Sequence, residues 1–257
     1  MATALITGGT SGIGAAFAQQ LAAQNYDLVL VARDQERLDQ TADDLRNQYG
    51  VQVETLSADL ADRDQLRRVA DRLADSERPI EVLINNAGFG VHSKLLDPDT
   101  SRQEVAIDVM IRAVLVLSNA AGRAMKVRRS GGILNVSSTA GYITMGLYSA
   151  IKSWVTTYTE SLAGELHGSG VRVTALLPGW VRTEFHQRAG INASKIPDAL
   201  WLDAEPLVRQ ALIDFDRGKV LSLPSTRYKI LMGVAQRAPR GAIRAVSRMM
   251  SSSRHES

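Results

Sequence analysis

Residues 2–14 read Ala-Thr-Ala-Leu-Ile-Thr-Gly-Gly-Thr-Ser-Gly-Ile-Gly, and this stretch decides the fold. The apolar and β-branched run Ala2–Thr7 is typical of a buried strand, and glycines follow it at once. Glycines allow a tight turn that approaches a pyrophosphate, while the N-terminus of the next helix offers free N–H groups. A turn without a ligand is the alternative, but the order strand, glycines, helix favours a dinucleotide site. The predicted contacts are Gly8, Thr10, Ser11, Gly12, Ile13 and Gly14.

The same alternation continues along the chain and predicts a doubly wound, Rossmann-type α/β fold. Its parallel sheet has about seven strands, with helices on both faces, because repeated βα units cross over in one hand. The predicted strands are Ala2–Thr7, Asp27–Ala32, Val51–Ser57, Ile80–Asn85, Gly132–Ser137, Val171–Leu177 and a short Val220–Leu223. The predicted helices are 13–24, 34–49, 62–76, 100–128 and 146–168, with another near 198–216. Without a repeat or a low-complexity linker, residues 1–257 are expected to form one domain.

Composition excludes several classes of site. The 257 residues include no cysteine, so disulfides and thiolate metal sites are excluded, and no metal-ligand spacing is present. The N-terminus lacks a basic region before an apolar segment, unlike a signal peptide. No stretch is expected to be long and apolar enough to span a bilayer. These features favour a soluble protein of the cytoplasm.

The end of the second predicted strand bears on the choice of cofactor. A carboxylate there would bind a ribose 2′-hydroxyl and repel a 2′-phosphate, but the position is occupied by Ala32. Arg33 follows at once and can pair with phosphate oxygens, and Arg37 lies one helical turn further on. A solvated surface arginine is the alternative. The absence of an acid predicts NADP(H) rather than NAD(H).

Two further strand ends carry polar residues. Asp59-Leu60 follows the third predicted strand, and Asn85-Asn86-Ala87-Gly88 follows the fourth. Each is explained equally well as a helix cap or a turn. Their position at the carboxyl edge of the sheet, where open α/β sheets bind ligands, favours contacts from Asp59, Leu60, Asn86, Ala87 and Gly88.

A phenol and an ammonium carry the candidate chemistry. Tyr148 and Lys152 lie one turn apart on one face of the predicted helix 146–168. A free phenol has a pKa of about 10, which a fixed ammonium and a positive nicotinamide ring would lower. The fifth strand ends in Ser137-Ser138, and a serine hydroxyl there can hold a carbonyl oxygen or simply cap a turn. Either serine fits, and Ser138 is preferred.

A rigid turn follows the sixth predicted strand. Pro178-Gly179-Trp180-Val181-Arg182-Thr183 lies at the same carboxyl edge and suits a grip on the nicotinamide carboxamide. The predicted contacts are Pro178, Gly179, Val181 and Thr183.

Together these segments resemble the short-chain dehydrogenase/reductase family. The matching pieces occur in the family's order over residues 3 to 183, about 70% of the chain. The resemblance implies Tyr148 as general acid/base and Lys152 as a ligand of the nicotinamide ribose. It also implies Ser138 on the substrate oxygen, Asp59 at the adenine and Arg33 as the mark of NADP preference. We therefore expect an oxidoreductase that interconverts a ketone or aldehyde and an alcohol.

Two features depart from the family's pattern. Met110 occupies the place of an asparagine that normally supports a proton-relay water, and a thioether cannot donate a hydrogen bond. In addition, Ser138 and Tyr148 are only ten residues apart. Met110 favours an alternative function, an NADP(H)-binding sensor or scaffold with weak or lost turnover.

The single domain is expected to divide into three regions along the chain: a core, a region that covers the substrate, and a C-terminal tail. Residues 1–183 form the cofactor and catalytic core, and 184–217 the substrate-covering region. Residues 218–257 form the last strand and the basic tail. The apolar residues of the cover suggest a lipophilic or acyl substrate: Phe185, Ile191, Ile196, Trp201 and Leu202. His186 is within reach of a substrate or lies on the surface.

The basicity of the chain is concentrated in its tail. From Arg217 onward there are nine Lys/Arg and one acid, Glu256, although the whole chain has a net charge of only +3. Arg240, Arg244 and Arg248 recur every fourth residue. This pattern fits a solvated helix face, or an interfacial helix that docks on anionic lipid or an acidic acyl carrier. Nucleic acid is not expected, because no stacking aromatics accompany the charge. A homo-oligomer, dimer or tetramer, built through helices 100–128 and 146–168 is expected from similar enzymes.

Overall fold

The computed structural model describes residues 1–91, 93–184, 197–239, 241–245 and 247. Seven strands form one sheet in the order β3-β2-β1-β4-β5-β6-β9, and each strand is parallel to its neighbours. Their bounds are β1 Thr3–Thr7, β2 Asp27–Ala32, β3 Val53–Ser57, β4 Val82–Asn85, β5 Gly131–Val136, β6 Val171–Leu176 and β9 Leu221–Ser222. The strand order reverses between β1 and β4, and this switch point opens a crevice at the carboxyl edge.

Helices cover both faces of the sheet. They are α1 Gly12–Ala22, α2 Gln35–Tyr49, α3 Arg63–Ala74, α4 Ser101–Arg128, α5 Leu147–Glu165, α6 Ala204–Asp216 and α7 Thr226–Arg237. Residues 241–245 are also helical. The predicted doubly wound parallel sheet is confirmed, and element boundaries shift by at most three residues except at the start of α6.

The core consists of two apolar layers, one on each face of the sheet. Alternate residues of β1 enter opposite layers: Ile6 packs with Phe17 of α1 and Phe215 of α6, whereas Leu5 packs with Leu117 of α4. All of these side chains are almost completely buried. A strand that is apolar on both faces is what a covered parallel sheet requires.

The region after β6 differs from the prediction. The helix expected near 198–216 begins instead at Ala204, as α6, and a 3₁₀ turn, Asp198–Leu200, precedes it. Between them lies a strand that was not predicted, β8 Trp201–Leu202, which pairs in parallel with β7 Trp180–Val181. A strand of two residues is too short for an alternation of apolar and polar residues to reveal it.

The expectation about membrane-spanning stretches was wrong for α4. By length and composition alone this helix could cross a bilayer, and 44% of its most apolar window is buried in the protein. It packs on β4 and β5 and beside α3, as a core helix does. Within it, Asp108–Arg112 forms a π-helical turn that contains Met110.

Candidate active site

The glycine turn after β1 follows a backbone path that favours glycine. Gly8 and Gly12 have positive φ angles of 66° and 54°, where a Cβ would be crowded. A Cβ on Gly14 would lie 2.1 Å from the carbonyl oxygen of Gly8. α1 begins at Gly12, and the side chain of Ser11 makes no capping hydrogen bond. The first N–H groups of α1 are therefore left uncapped, as an anion site requires.

The end of β4 is tied to this turn by Asn86. Its side-chain Nδ2 donates to the carbonyl oxygens of Thr7 and Gly8, at 3.0 and 3.1 Å. In return, the backbone N–H groups of Asn86 and Ala87 both donate to the Thr7 hydroxyl at 3.0 Å. The adjoining Gly88 is exposed. These bonds fix the two sides of the switch-point crevice relative to each other.

The opposite wall of the crevice is formed by Thr183. A Cβ on Gly12 would lie 3.1 Å from the Cβ of Thr183. The neighbouring Glu184 accepts two hydrogen bonds from the Arg37 guanidinium, at 3.0 and 3.2 Å, and Arg37 Nε donates to the Thr10 carbonyl oxygen at 3.2 Å. Arg37 therefore links α2, the glycine turn and the start of the covering region.

The remaining predicted adenosine contacts lie where β2 and β3 end. Arg33 is exposed at the end of β2. The Asp59 carboxylate accepts a hydrogen bond from the Ala61 N–H at 3.0 Å, so it serves a turn. Leu60 is 6% exposed and packs in the core, and Ile13 is half-buried against the opposite layer. Of these residues, Arg33 presents the most accessible polar group.

Ser138, Tyr148 and Lys152 meet at the carboxyl edge of β5. The Tyr148 phenol and the Ser138 hydroxyl are hydrogen bonded. The Lys152 ammonium lies 5.7 Å from the centre of the Tyr148 ring and donates to the Val136 carbonyl oxygen at 2.8 Å. An ammonium has three protons, so this bond leaves others for a ligand.

Burial dominates the protonation of this pair. It raises the pKa of Tyr148 above its ordinary value, although the bond to Ser138 acts in the opposite direction. Burial also lowers the pKa of Lys152 to about 8. In the protein alone, desolvation disfavours both charged forms, so the expected lowering of the phenol's pKa by the ammonium together with the nicotinamide ring stays a prediction. In the protein without cofactor, Tyr148 is held as a neutral phenol, the form that donates a proton.

The two adjacent serines have different surroundings. Ser137 is buried, and its hydroxyl bonds the Lys152 carbonyl oxygen and the Thr156 hydroxyl, each at 2.7 Å. Ser138 is half-buried, accepts from the Ala140 N–H at 3.1 Å and contacts Tyr148. It thus caps the turn that follows β5 and also reaches the phenol, so both interpretations of Ser138 describe its surroundings.

The turn after β6 is held from two sides. Its Pro178 carbonyl oxygen accepts from the Thr139 N–H at 3.0 Å, next to Ser138. On the other side, a Cβ on Gly179 would lie 1.9 Å from Cζ of Tyr228, so the phenol ring lies directly on this glycine. The Tyr228 hydroxyl accepts from the Trp180 N–H at 3.0 Å and donates to the Leu200 carbonyl oxygen at 2.8 Å. Val181 is buried beyond this turn.

Met110 is buried beside Gly88, at the end of β4. Its side chain is 1% exposed, and its sulfur lies 3.0 Å from the position of a Cβ on Gly88. It packs in a small apolar cluster with Ile151, against which Tyr148 also packs. An apolar side chain therefore occupies the position where the resemblance implies an asparagine.

Comparison with known proteins agrees with this geometry. The family model of the short chain dehydrogenases matches residues 2–193. The chain belongs to the short chain dehydrogenase family. A short-chain dehydrogenase from Sphingobium yanoikuyae, solved in complex with NADPH, is 37% identical, with a TM-score of 0.84, and 92% of this chain and 94% of that chain are covered.

Two other similar proteins are an alcohol dehydrogenase and an oxidoreductase. The bulky-bulky ketone specific alcohol dehydrogenase from Comamonas testosteroni is 31% identical, with a TM-score of 0.79, over 93% of this chain and 96% of its own. An uncharacterized oxidoreductase of Staphylococcus saprophyticus is 36% identical over 70% of this chain and 78% of its own. The chain is an oxidoreductase that acts on alcohols or carbonyls with NAD(P)(H).

Two residues of this dehydrogenase's candidate site were missed from the sequence. Thr7 was assigned only to β1 and the turn, and Tyr228 lies 48 positions from the Trp180 N–H that it bonds. A contact to the loop between β5 and α5 was missed as well, because Ser247 accepts from the Thr144 N–H at 3.1 Å. Periodic patterns identify side chains that lie three or four residues apart. They cannot pair residues that are separated by tens of positions in the sequence. Four residues of the predicted cover lie outside the described residues: Phe185, His186, Ile191 and Ile196.

Proposed function

We propose that this dehydrogenase reduces a ketone or aldehyde with NADPH, and oxidises the alcohol in reverse, with Tyr148 as the acid. The observation that supports this most is the bond between Tyr148 and Ser138 beside the buried Lys152. All three side chains lie at the sheet edge onto which the glycine turn opens. A neutral phenol next to a second hydroxyl is the arrangement that protonates a developing alkoxide.

The roles of the three side chains follow from their chemistry. The bound nicotinamide would supply or accept the hydride. Ser138 would hold the carbonyl oxygen, and Tyr148 would donate its proton to that oxygen as charge develops. Lys152, with protons to spare after its bond to Val136, would bind the nicotinamide ribose and stabilise the phenolate that remains.

NADPH is the proposed cofactor because of the polar groups at the end of β2. Ala32 leaves that strand without a carboxylate, and exposed Arg33 follows it. Arg33 would pair with the 2′-phosphate, while Arg37 is shared with Glu184. The solved relative in complex with NADPH supports this choice. The contacts to the rest of the cofactor would come from the glycine turn, Asp59-Leu60, Asn86–Gly88 and the turn 178–183.

The substrate is proposed to be bulky and apolar. Trp180 and Trp201 face each other across β7 and β8 with ring centres 6.2 Å apart, and the Arg182 guanidinium lies 5.4 Å from the Trp201 ring. This aromatic wall belongs to residues 184–217 and the turn before them, the proposed cover over the core 1–183. The bulky ketone specificity of the Comamonas relative fits an apolar pocket.

We also propose that the enzyme is a cytoplasmic homo-oligomer. Val105, Ile107 and Leu115 of α4 are 37–45% exposed. On α5, Trp154 and Tyr158 stack with ring centres 4.8 Å apart. Apolar groups at the surface of both helices suit a subunit interface.

The proposal is tested by NADPH oxidation against ketones, aldehydes and 3-oxoacyl thioesters. Tyr148→Phe should lower kcat by about 10²–10⁴-fold, the usual contribution of a general acid, with little change in NADPH affinity. Tyr158→Phe, on the same helix, is the matched control and should retain activity. If Tyr148→Phe turns over substrate like the parent protein, the assigned acid is wrong.

A sensor or scaffold with lost turnover is the second candidate, and buried Met110 favours it. In that case NADPH would bind, as seen by quenching of protein fluorescence, and no substrate of the panel would be reduced. The arrangement of Ser138, Tyr148 and Lys152 favours the enzyme.

A further inference from the structure

We propose that the outer face of α7 docks on an anionic lipid surface. Ile230, Leu231 and Val234 lie together on this face and are 67%, 50% and 64% exposed. The inner face of the same helix is covered, since Tyr228 and Met232 are 4% and 5% exposed. Single exposed aliphatic residues are common, but three neighbours on one short helix form an apolar patch that water solvates poorly.

The patch borders an open groove whose lining includes two cations. The groove has a volume of about 670 Å³ and is lined by Lys229, Ile230, Gly233, Val234, Arg237 and Ala238. Its lining combines the aliphatic groups of Ile230, Val234 and Ala238 with the cations Lys229 and Arg237. This arrangement matches the boundary of a bilayer, where acyl chains meet headgroups.

The charge around the patch is not balanced by carboxylates. The sequence holds no acid between Arg217 and Glu256. Among the described residues, no ion pair involves Arg227, Lys229 or Arg237. Arg237 instead donates within its helix to the Gly233 carbonyl oxygen at 3.1 Å. Each such cation near an anionic membrane strengthens the electrostatic attraction to its headgroups.

Charge also argues against other occupants of this face. In a twofold dimer through α7, Lys229 and Arg237 of each copy would meet the same cations of the other. Nucleic acid is disfavoured because aliphatic groups, not aromatic rings, are exposed here. An anionic lipid surface satisfies the charge and the apolar groups together.

Docking through α7 would bring the active-site crevice to the lipid. On its inner side, Tyr228 holds Gly179 and the Leu200 carbonyl oxygen, and α7 contacts the 3₁₀ turn Thr139–Tyr142 that follows Ser138. This consequence rests on the proposed carbonyl chemistry and implies substrates that dissolve in lipid. The docking itself does not depend on that chemistry, so binding and activity are measured separately.

Co-sedimentation of the full chain with vesicles tests the docking. The parent protein should sediment with vesicles of phosphatidylglycerol and phosphatidylcholine in equal parts, and not with phosphatidylcholine alone. High salt should release it, because a short Debye length screens the headgroups. The triple variant I230S/L231S/V234S should bind about tenfold more weakly.

A pair of matched charge reversals keeps the test decisive if the triple variant does not fold. K229E/R237E should weaken binding at least tenfold, whereas R67E/R68E, at exposed positions of α3 with the same change in net charge, should stay within twofold. Equal binding of both variants would overturn the proposal. So would a fall in oligomer mass by light scattering on α7 substitution, because the face would then join subunits. If K229E/R237E no longer docks but still turns over soluble ketones, the docking and the carbonyl chemistry are shown to be independent. The two proposals can then be tested separately.

Discussion

Tyr228 lies directly on Gly179, so closely that a methyl group on the glycine would stand 1.9 Å from the phenol's Cζ. The hydroxyl of the same residue bridges the Trp180 N–H and the Leu200 carbonyl oxygen. The helix α7 therefore supports the turn that is proposed to grip the nicotinamide. A segment that the sequence presents as a basic tail contributes a buried contact to the active site.

Tyr228→Phe is expected to weaken cofactor binding while leaving the fold intact. The ring still fills the space above Gly179, but the Trp180 N–H loses its acceptor, and an unsatisfied donor costs about 1–3 kcal/mol. Because Trp180 is half-buried, we expect roughly a tenfold rise in the KM for NADPH, with a smaller change in kcat. Steady-state kinetics measure both. A kcat that falls while the KM stays constant would mean that Tyr228 does not act through the cofactor turn.

The fold and the chemical site could be predicted from the sequence because their signals are local. Thr7 to Gly14 forms a continuous strand, turn and helix, and Tyr148 and Lys152 are one helical turn apart. The carboxyl edge follows from parallel strands alone, so residues at the ends of β1, β4, β5 and β6 had to meet. The residues at these strand ends could therefore be identified from the sequence without any interatomic distance.

The rest depends on contacts between remote parts of the chain. The pair Arg37–Glu184 spans 147 positions, and the bond from Thr144 to Ser247 spans 103. No periodic pattern encodes such pairs. The burial that raises the pKa of Tyr148 in the protein alone could not be read from the sequence either, because it depends on how much water the packed site excludes, a property of the whole fold.

Arg33 and Arg37 are expected to differ in their effect on cofactor choice. Arg33→Ala should lower kcat/KM for NADPH about 10–100-fold and leave NADH unaffected, since a charge-assisted bond to phosphate contributes about 1.5–3 kcal/mol. Arg37→Ala should do less, because its guanidinium is shared with Glu184 and the Thr10 carbonyl oxygen. Glu184→Gln should raise the preference for NADPH by removing a competing negative charge. Equal losses with NADH and NADPH for Arg33→Ala would contradict the assignment.

Met110→Asn is expected to lower the free energy of unfolding and to raise kcat. The side chain is buried against Gly88 and Ile151, so an amide there should lower the free energy of unfolding by about 2–4 kcal/mol. If the apolar floor limits proton supply to Lys152, the asparagine should raise kcat several-fold. Met110→Leu conserves volume without adding a polar group and should change neither quantity much. A kcat that drops for Met110→Asn would show that the apolar floor does not limit turnover.

The rate of carbonyl reduction should decline in mildly alkaline solution. Burial lowers the pKa of Lys152 to about 8, whereas it keeps the Tyr148 phenol protonated to higher pH. Since kcat/KM reports groups of the free enzyme, it should fall above about pH 8 as the ammonium is lost. Lys152→Arg, which remains charged, should remove this decline from whatever activity it retains. A flat profile in the parent enzyme through pH 9 would exclude a role for the lysine charge.

Lys152 should also destabilise the folded protein at neutral pH. Its pKa is lowered from 10.5 to about 8 by burial, so between these values the unfolded chain binds a proton that the folded protein does not. Folding stability from this residue therefore rises with pH across that window, and the penalty is complete below pH 8. The shift corresponds to roughly 3 kcal/mol, partly offset by the bond to Val136.

Lys152→Met should consequently raise the free energy of unfolding by roughly 1–2 kcal/mol at pH 7 while abolishing activity. The gain should shrink at pH 10, where the parent protein has lost most of the penalty. Urea unfolding at the two pH values measures it, and Lys126→Met at an exposed position of α4 should show no such dependence. A variant that is less stable than the parent at pH 7 would mean that the bond to Val136 outweighs desolvation, and that the lysine is held for structure as well as for chemistry.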